Sequence, residues 1–179
     1  MKLLLHCCCG PCSLAVVRAL LLEGLDEGLK CYFYNPNIHP YQEYKARLAA
    51  WQEVVSYYKL PAYVEPGYPL EEWLRAVAAE PQARCPYCYT KRLTQTAVKA
   101  VELGYEAFST SLLISPYQQH QLLKELGEEI AARYGLTFFY RDWRPHYRAG
   151  QTAASERGLY MQKYCGCIYS EKERYMKSQ

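Results

Sequence analysis

The 179-residue chain lacks a long apolar run, a low-complexity tract, an internal repeat and an extended linker. Without about 20 consecutive apolar residues there is no transmembrane helix to expect, and without a repeat there is no solenoid. The opening Met1-Lys2-Leu3-Leu4-Leu5 has the look of a signal start, but His6 interrupts it and cysteines follow at once. That is too short for a secretory apolar core, so a cytosolic protein is expected. The G-x-G-x-x-G fingerprint of flavin and nicotinamide sites is also missing. Neither sign of charge dominates: 21 Lys and Arg against 18 Asp and Glu leave a net charge of +3.

Cysteine, by contrast, is abundant and clustered. Eight of nine cysteines fall in Cys7-Cys8-Cys9-Gly10-Pro11-Cys12, Cys85-Pro86-Tyr87-Cys88 and Cys165-Gly166-Cys167. The ninth, Cys31, stands inside an apolar run that predicts its burial. A secreted disulfide scaffold is short and loop-rich, whereas half of this chain is hydrophobic and arranged in long periodic segments. In a reducing compartment, grouped thiols are metal ligands or redox catalysts more often than bridges.

Periodicity divides the chain into alternating strands and helices. Strands are expected at Leu3 to His6, Leu29 to Tyr34, Ala62 to Val64, Ala107 to Leu113 and Leu136 to Tyr140. Helices are expected at Ser13 to Glu23, Gln42 to Tyr58, Leu70 to Ala79, Thr90 to Leu103 and Gln118 to Tyr134. The second helix is the clearest, with Tyr44, Leu48, Trp51, Val55 and Tyr58 on one face. The pattern predicts an α/β fold: one doubly wound domain over residues 1–179, with a mostly parallel five-stranded sheet. Ligand sites in such folds lie at the carboxyl ends of the strands, near the point where strand order reverses. The first cysteine loop follows the first strand directly, so a cysteine-rich metal site is expected there.

Each motif admits more than one chemistry. Cys9-Gly10-Pro11-Cys12, between strand and helix, matches the active-site tetrapeptide of thioredoxins, which would make the chain a thiol-disulfide oxidoreductase using Cys9 and Cys12. Two C-x-x-C pairs fit a zinc site with four sulfurs, hence a zinc-dependent RNA-binding module without catalysis. Cys165-Gly166-Cys167 has a less common spacing for zinc and could supply two more ligands, or cycle between dithiol and disulfide. Residues 133–179 carry nine Lys and Arg against four Asp and Glu, and Arg141-Asp142-Trp143-Arg144-Pro145-His146-Tyr147-Arg148 interleaves guanidinium groups with rings. That composition suits phosphate contacts and base stacking, or else a solvated basic face.

Four stretches together resemble the QueH family of epoxyqueuosine reductases: His6 to Ser13, Arg84 to Tyr89 with Lys91-Arg92-Leu93, Phe108 to Tyr117, and Tyr164 to Cys167 with Ser170. The resemblance spans essentially the whole chain, in order. It implies a fold of the adenine nucleotide alpha-hydrolase type, related to the Rossmann fold, with residues 133–179 completing the active site. It also implies a 4Fe-4S cluster and the last step of queuosine synthesis: reduction of a cyclopentane epoxide to an alkene at the wobble base of tRNA. The cluster ligands would fall on Cys8, Cys9, Cys85 and Cys88, and the redox-active pair on Cys165 and Cys167. Cys7 departs from the family pattern. The surplus of ligands raises a second iron or other metal beside the cluster, held by Cys12 or shared cysteines with Asp142. Candidate proton donors to the epoxide oxygen are Asp142, Tyr147 and His146, and candidate tRNA contacts are Arg144, Tyr147 and Arg148. Electrons would come from an external ferredoxin- or flavodoxin-like donor. The glycine-rich ATP loop of related folds is absent from the first turn, so no ATP is expected, nor flavin, cobalamin or a membrane partner.

Overall fold

The computed structural model describes residues 1–176. Its strands are β1 (Leu3–Cys7), β2 (Leu29–Phe33), β3 (Ala62–Val64), β4 (Ala107–Thr110) and β5 (Thr137–Phe138). The helices are α1 (Gly10–Leu22), α2 (Tyr41–Tyr57), α3 (Leu70–Val77), α4 (Arg84–Glu102), α5 (His120–Tyr134), α6 (Tyr147–Glu156) and α7 (Ile168–Tyr175). All neighbouring strands pair in parallel, in the order β3-β2-β1-β4-β5.

β1 is the middle strand, bonded to β2 on one edge and β4 on the other, and every residue in it is buried. A strand covered on both faces has no solvent side to favour alternation, which is why Leu3-Leu4-Leu5 reads as an unbroken apolar run. α1 packs against α2 and α6, while α4 packs against α5 and the sheet. Right-handed crossovers put these two groups on opposite faces. The connections leave β1 toward β2 and β3 on one side and later reach β4 and β5 on the other. The strand order therefore reverses between β1 and β4, opening a crevice beyond their carboxyl ends.

His6, near the end of β1, is fully buried and belongs to this framework. Its Nε2 lies 3.0 Å from the Tyr34 carbonyl oxygen and its Nδ1 2.9 Å from Thr110 Oγ1. The carbonyl can only accept, so Nε2 carries the proton and Nδ1 receives the threonine hydroxyl. Burial, reinforced by the Arg92 charge, lowers the imidazole pKa to about 4, which leaves a neutral ring that links three strand ends.

The structure revises several element bounds. The helix expected from Thr90 begins at Arg84, so Cys85 and Cys88 are helical. Pro86 does not break it, because the first-turn N–H groups have no acceptor within the helix and a proline there loses nothing. The strand expected to reach Leu113 stops at Thr110, whose hydroxyl accepts the Leu112 N–H and starts a 3₁₀ turn over Ser111–Ile114. β5 shrinks to two residues, and the helix expected from Gln118 starts at His120. α6 and α7 had no counterpart in the sequence reading. α6 buries only Gly150 and Ala154 and α7 buries none of its residues, so neither carries the apolar stripe by which helices are recognised.

The buried centre of β1 should dominate stability. Leu4→Ala is expected to cost about 2–5 kcal/mol, read as a lower urea midpoint at unchanged slope. Leu22→Ala, on an exposed part of α1, should stay within about 0.5 kcal/mol of the parent.

Candidate active site

All three cysteine motifs stand at the starts of helices. Cys9 is the N-cap of α1, Cys85 and Cys88 lie in the opening turns of α4, and Cys167 is the N-cap of α7. Helix starts expose unpaired N–H groups and the positive end of the peptide dipole, an environment that favours thiolates. At α7 the contact is explicit: Cys167 Sγ accepts the Ser170 N–H at 3.4 Å.

The first motif forms a tight group. The sulfurs of Cys8, Cys9 and Cys12 lie within 4.8 Å of one another, all three residues are buried, and together they could hold a metal ion. Gly10 makes the loop possible, because a Cβ there would stand 2.8 Å from the Ala50 carbonyl oxygen of α2. Ser111, just beyond β4, accepts the Cys8 N–H at 3.1 Å and donates its hydroxyl to Cys8 Sγ at 3.4 Å. Hydrogen bonds from Cys12, Cys9 and Ser111 hold the Cys8 thiol well below its ordinary pKa. Burial raises the Cys9 thiol, and its neighbours Cys8 and Cys9 raise Cys12. Of the three, Cys8 is the sulfur most favoured as a thiolate. Cys7 points elsewhere: its sulfur interacts with buried Cys31 of β2, on which it imposes a raised pKa.

The second and third motifs meet each other. Cys88 and Cys167 pack with Trp73 and Val77 in one small apolar cluster, and the Trp73 indole donates to Cys88 Sγ at 3.1 Å. Burial pushes the Cys88 thiol up to about 11. Cys85 is half-buried and also raised by burial, then by the nearby Cys165. Neither belongs to the tight group of Cys8, Cys9 and Cys12.

A loop with no strand to guide it carries the third motif, and α2 fixes it in place. Arg47 is only 2% exposed and pairs with Glu43 at 2.7 Å. Its remaining nitrogens donate to the carbonyl oxygens of Tyr164 and Cys165, both at 2.9 Å. The His39 N–H bonds the Gly166 carbonyl at 2.8 Å, and the Tyr164 hydroxyl bonds the His39 carbonyl at 2.6 Å. Gly166 has φ +148°, and a Cβ there would press on Ile38 at 3.2 Å, so glycine is the residue this C-x-C geometry accepts.

These pieces enclose a cleft of about 550 Å³ with Cys8 and Cys12 at its floor and Cys165 on its wall. Tyr117 and Tyr147 stand edge to face at its mouth, ring centres 5.9 Å apart, and Lys163 and Arg174 add positive charge. Two carboxamides reach the sulfurs: Gln162 Nε2 donates to Cys9 Sγ at 3.0 Å and Gln118 Nε2 to Cys165 Sγ at 3.5 Å. Gln162 Oε1 is buried and has no donor.

Of the residues singled out from sequence, the cleft contains Cys8, Cys12, Cys165 and Tyr147. Asp142 is not among its lining residues. Both its oxygens are taken by Arg144, at 2.8 and 2.6 Å, and this pairing lowers its pKa to about 2. It is therefore a carboxylate at neutral pH, and it is absent from the metal-competent group. His146 faces a separate apolar groove between α1 and α6. Arg47, Gln118, Gln162, Lys163 and Arg174 escaped the sequence reading. Only Arg47 carried a local signal, as half of a Glu-Arg pair four residues apart on an otherwise apolar helix face.

A doubly wound α/β domain with three thiol motifs gathered around the switch point of its sheet defines a thiol-based metal or redox protein. The model of the epoxyqueuosine reductase QueH family matches residues 3–173. Epoxyqueuosine reductase QueH of Dehalococcoides mccartyi is 40% identical over 98% of this chain and 96% of its own length. That of Thermotoga maritima is 35% identical over 97% of this chain and 92% of its own. The chain belongs to the QueH family, whose members are named as reductases and are thus oxidoreductases.

Removing Arg47 should both destabilise the protein and free the third motif. Arg47→Met is expected to cost about 3–5 kcal/mol, because Glu43 is left buried without its partner. Arg47→Met combined with Glu43→Leu should cost less in urea denaturation. Both variants should show faster tryptic cleavage at Lys163 than the parent.

Proposed function

We propose that the chain reduces the cyclopentane epoxide of epoxyqueuosine in the tRNA wobble position to the alkene of queuosine, using a 4Fe-4S cluster held by Cys8, Cys9, Cys85 and Cys88. One observation carries this reading: a cleft large enough for a nucleobase runs from an aromatic, positively charged mouth to a floor of buried sulfur. The donor set suits the cluster. Ser111, Gln162 and Trp73 direct O–H or N–H groups at the sulfurs of Cys8, Cys9 and Cys88, an arrangement that stabilises anionic sulfur. When bound, such a cluster supplies electrons one at a time. A second metal beside the cluster would take Cys12, with the sulfurs of Cys8 and Cys9 shared between the two, and Asp142, held by Arg144, lies outside that group.

The reaction consumes two electrons and two protons and releases the epoxide oxygen as water. A Cys165–Cys167 dithiol closing to a disulfide yields both, and an external ferredoxin- or flavodoxin-like donor would restore it. Cys165 is exposed in the cleft and held toward Gln118, while Cys167, two residues on, is buried against Trp73 and Cys88. As the C–O bond breaks, charge builds on oxygen and must be met by a proton. Of the three candidates, Tyr147 lines the cleft and keeps its phenolic proton, its pKa raised by burial and by Cys12. Asp142, already ionised, has no proton to give. The unbonded Gln162 oxygen offers an acceptor that orients a substrate donor against the sulfur floor.

An unpaired anticodon base can be drawn out and stacked on rings while cations hold the backbone. Tyr117 and Tyr147 provide the rings and Lys163 and Arg174 the cations at the cleft, while the exposed Arg144, paired with Asp142, and Arg148 stand outside its lining as contacts for more distant phosphates. Nucleic acid is the partner that this mouth suits. No helix among the described residues is long and apolar enough to cross a membrane.

Anaerobically prepared protein should be brown, with about four irons and four sulfides per chain, and Cys85→Ala with Cys88→Ala should remove both. A colourless parent holding one zinc would replace this reading with a zinc-dependent RNA-binding module. Tyr147→Phe keeps the ring and loses the proton, so kcat should fall by about 10²–10⁴ with KM for tRNA nearly unchanged. Arg144→Ala with Arg148→Ala should flatten the slope of log K against log salt by about one unit for each phosphate no longer neutralised. An unchanged slope removes both from the interface.

A further inference from the structure

Three arginines surround the cysteine motifs, and one has no carboxylate. Arg47 pairs with Glu43, and Arg84 pairs with Glu173. Arg92 is 3% exposed, and among the described residues no carboxylate oxygen lies within 4.0 Å of it. Among the described residues the one hydrogen bond of its side chain runs from Nε to the Cys88 carbonyl oxygen at 3.1 Å, and the guanidinium lies 5.9 Å from the centre of the Tyr89 ring. Its two terminal nitrogens have no partner among these residues and are not sealed from open space, so an anion placed beside them there would be strongly favoured.

The surroundings identify that group. Arg92 is four residues after Cys88 and seven after Cys85, on the face of α4 that carries both thiols. Its field reaches across to His6, directly before the first motif, and favours the thiolates of Cys85 and Cys88. It is not among the residues lining the cleft, so a nucleic-acid phosphate entering there would not meet it. The ionisable groups within reach of its charge are the thiols of Cys85 and Cys88, the Tyr89 phenol and the His6 imidazole, and of these only the thiols become anions at neutral pH when they bind metal.

We propose that Arg92 is the fixed counter-ion of the sulfur centre, and that its charge raises the centre's reduction potential. The inference rests on the iron-sulfur reading above. Four thiolates give a 4Fe-4S cluster net negative charge, and reduction adds one more, so a buried cation beside it favours the reduced state. Arg92→Lys keeps the charge, and Arg92→Met removes it at similar volume.

The test is an anaerobic redox titration of the full chain, followed by electron paramagnetic resonance, with iron quantified beside it. At a fixed solution potential the reduced-to-oxidised ratio of Arg92→Met should be about tenfold lower than in the parent. For a one-electron couple that is a midpoint lower by about 59 mV. Arg92→Lys should stay near the parent. If Arg92→Met cannot hold iron while Arg92→Lys does so at the parent midpoint, the charge is again what matters. An Arg92→Met protein with full iron and an unchanged midpoint overturns the proposal and leaves the cluster standing. Loss of iron from both variants, with the fold intact by circular dichroism, also overturns it, since shape and not charge would then be required. A parent without iron fails the iron-sulfur reading itself, and this inference with it.

Discussion

The site depends on one buried guanidinium. Arg47 lies inside the protein, where an unpaired charge would be severely penalised, and its donors are met by Glu43 and by the carbonyl oxygens of Tyr164 and Cys165. Glu43 in turn receives the Tyr160 hydroxyl. The bonds that keep this charge tolerable are the same bonds that bring the C-terminal segment onto α2. Without them Cys165 would hang from a loop that no strand positions, and the cleft would lose the wall bearing Tyr164, Lys163 and Cys165. A cation whose satisfaction requires main-chain acceptors is a stronger positional device than a surface ion pair, because moving the loop exposes its full desolvation cost.

Helix starts are the second organising element. In a parallel sheet each helix begins near the carboxyl end of the strand before it, so free N–H groups gather at one edge of the molecule. The first motif exploits this at α1. The second does so at α4, where Trp73 from α3 adds an indole donor. The third has no preceding strand and creates its own helix start at α7, with Cys167 as the cap. Three helix starts thus face sulfur in a fold whose usual ligands at this place are phosphates. Among the described residues, however, only Cys167 accepts a helix N–H directly, and burial keeps the pKa values of Cys9, Cys85 and Cys88 raised.

How far the site could be read in advance differs from residue to residue. Leu3-Leu4-Leu5 and the α2 stripe were plain, because burial on two faces or one writes itself into hydrophobic periodicity. The cysteine motifs were plain as chemistry, since eight thiols at these spacings have few uses. The start of α4 was hidden by Pro86, which suits both a loop and a first helical turn. α6 and α7 were hidden because they lack an apolar stripe. Asp142 looked like a free acid next to the sheet, and only its neighbour Arg144, folded back upon it, reveals a carboxylate already paired. Gln118 and Gln162 gave no signal, because a carboxamide matters here only through the sulfur it touches, and those sulfurs are 47 and 153 residues away in sequence.

The sequence by itself determined the α/β class, the position of the first thiols after the first strand, the presence of two further thiol motifs and the resemblance to one family. These are local properties: a period, a spacing, a run of residue types. The tertiary structure alone decided that Cys8 and Cys12 share a cleft with Cys165, that Cys88 packs against Cys167, that Tyr147 reaches the cleft while Asp142 does not, and that Arg92 is buried near the second thiol motif without a carboxylate. Each of these is a distance between residues far apart in the chain, set by sheet order and by what a buried charge must touch, and no local pattern encodes it.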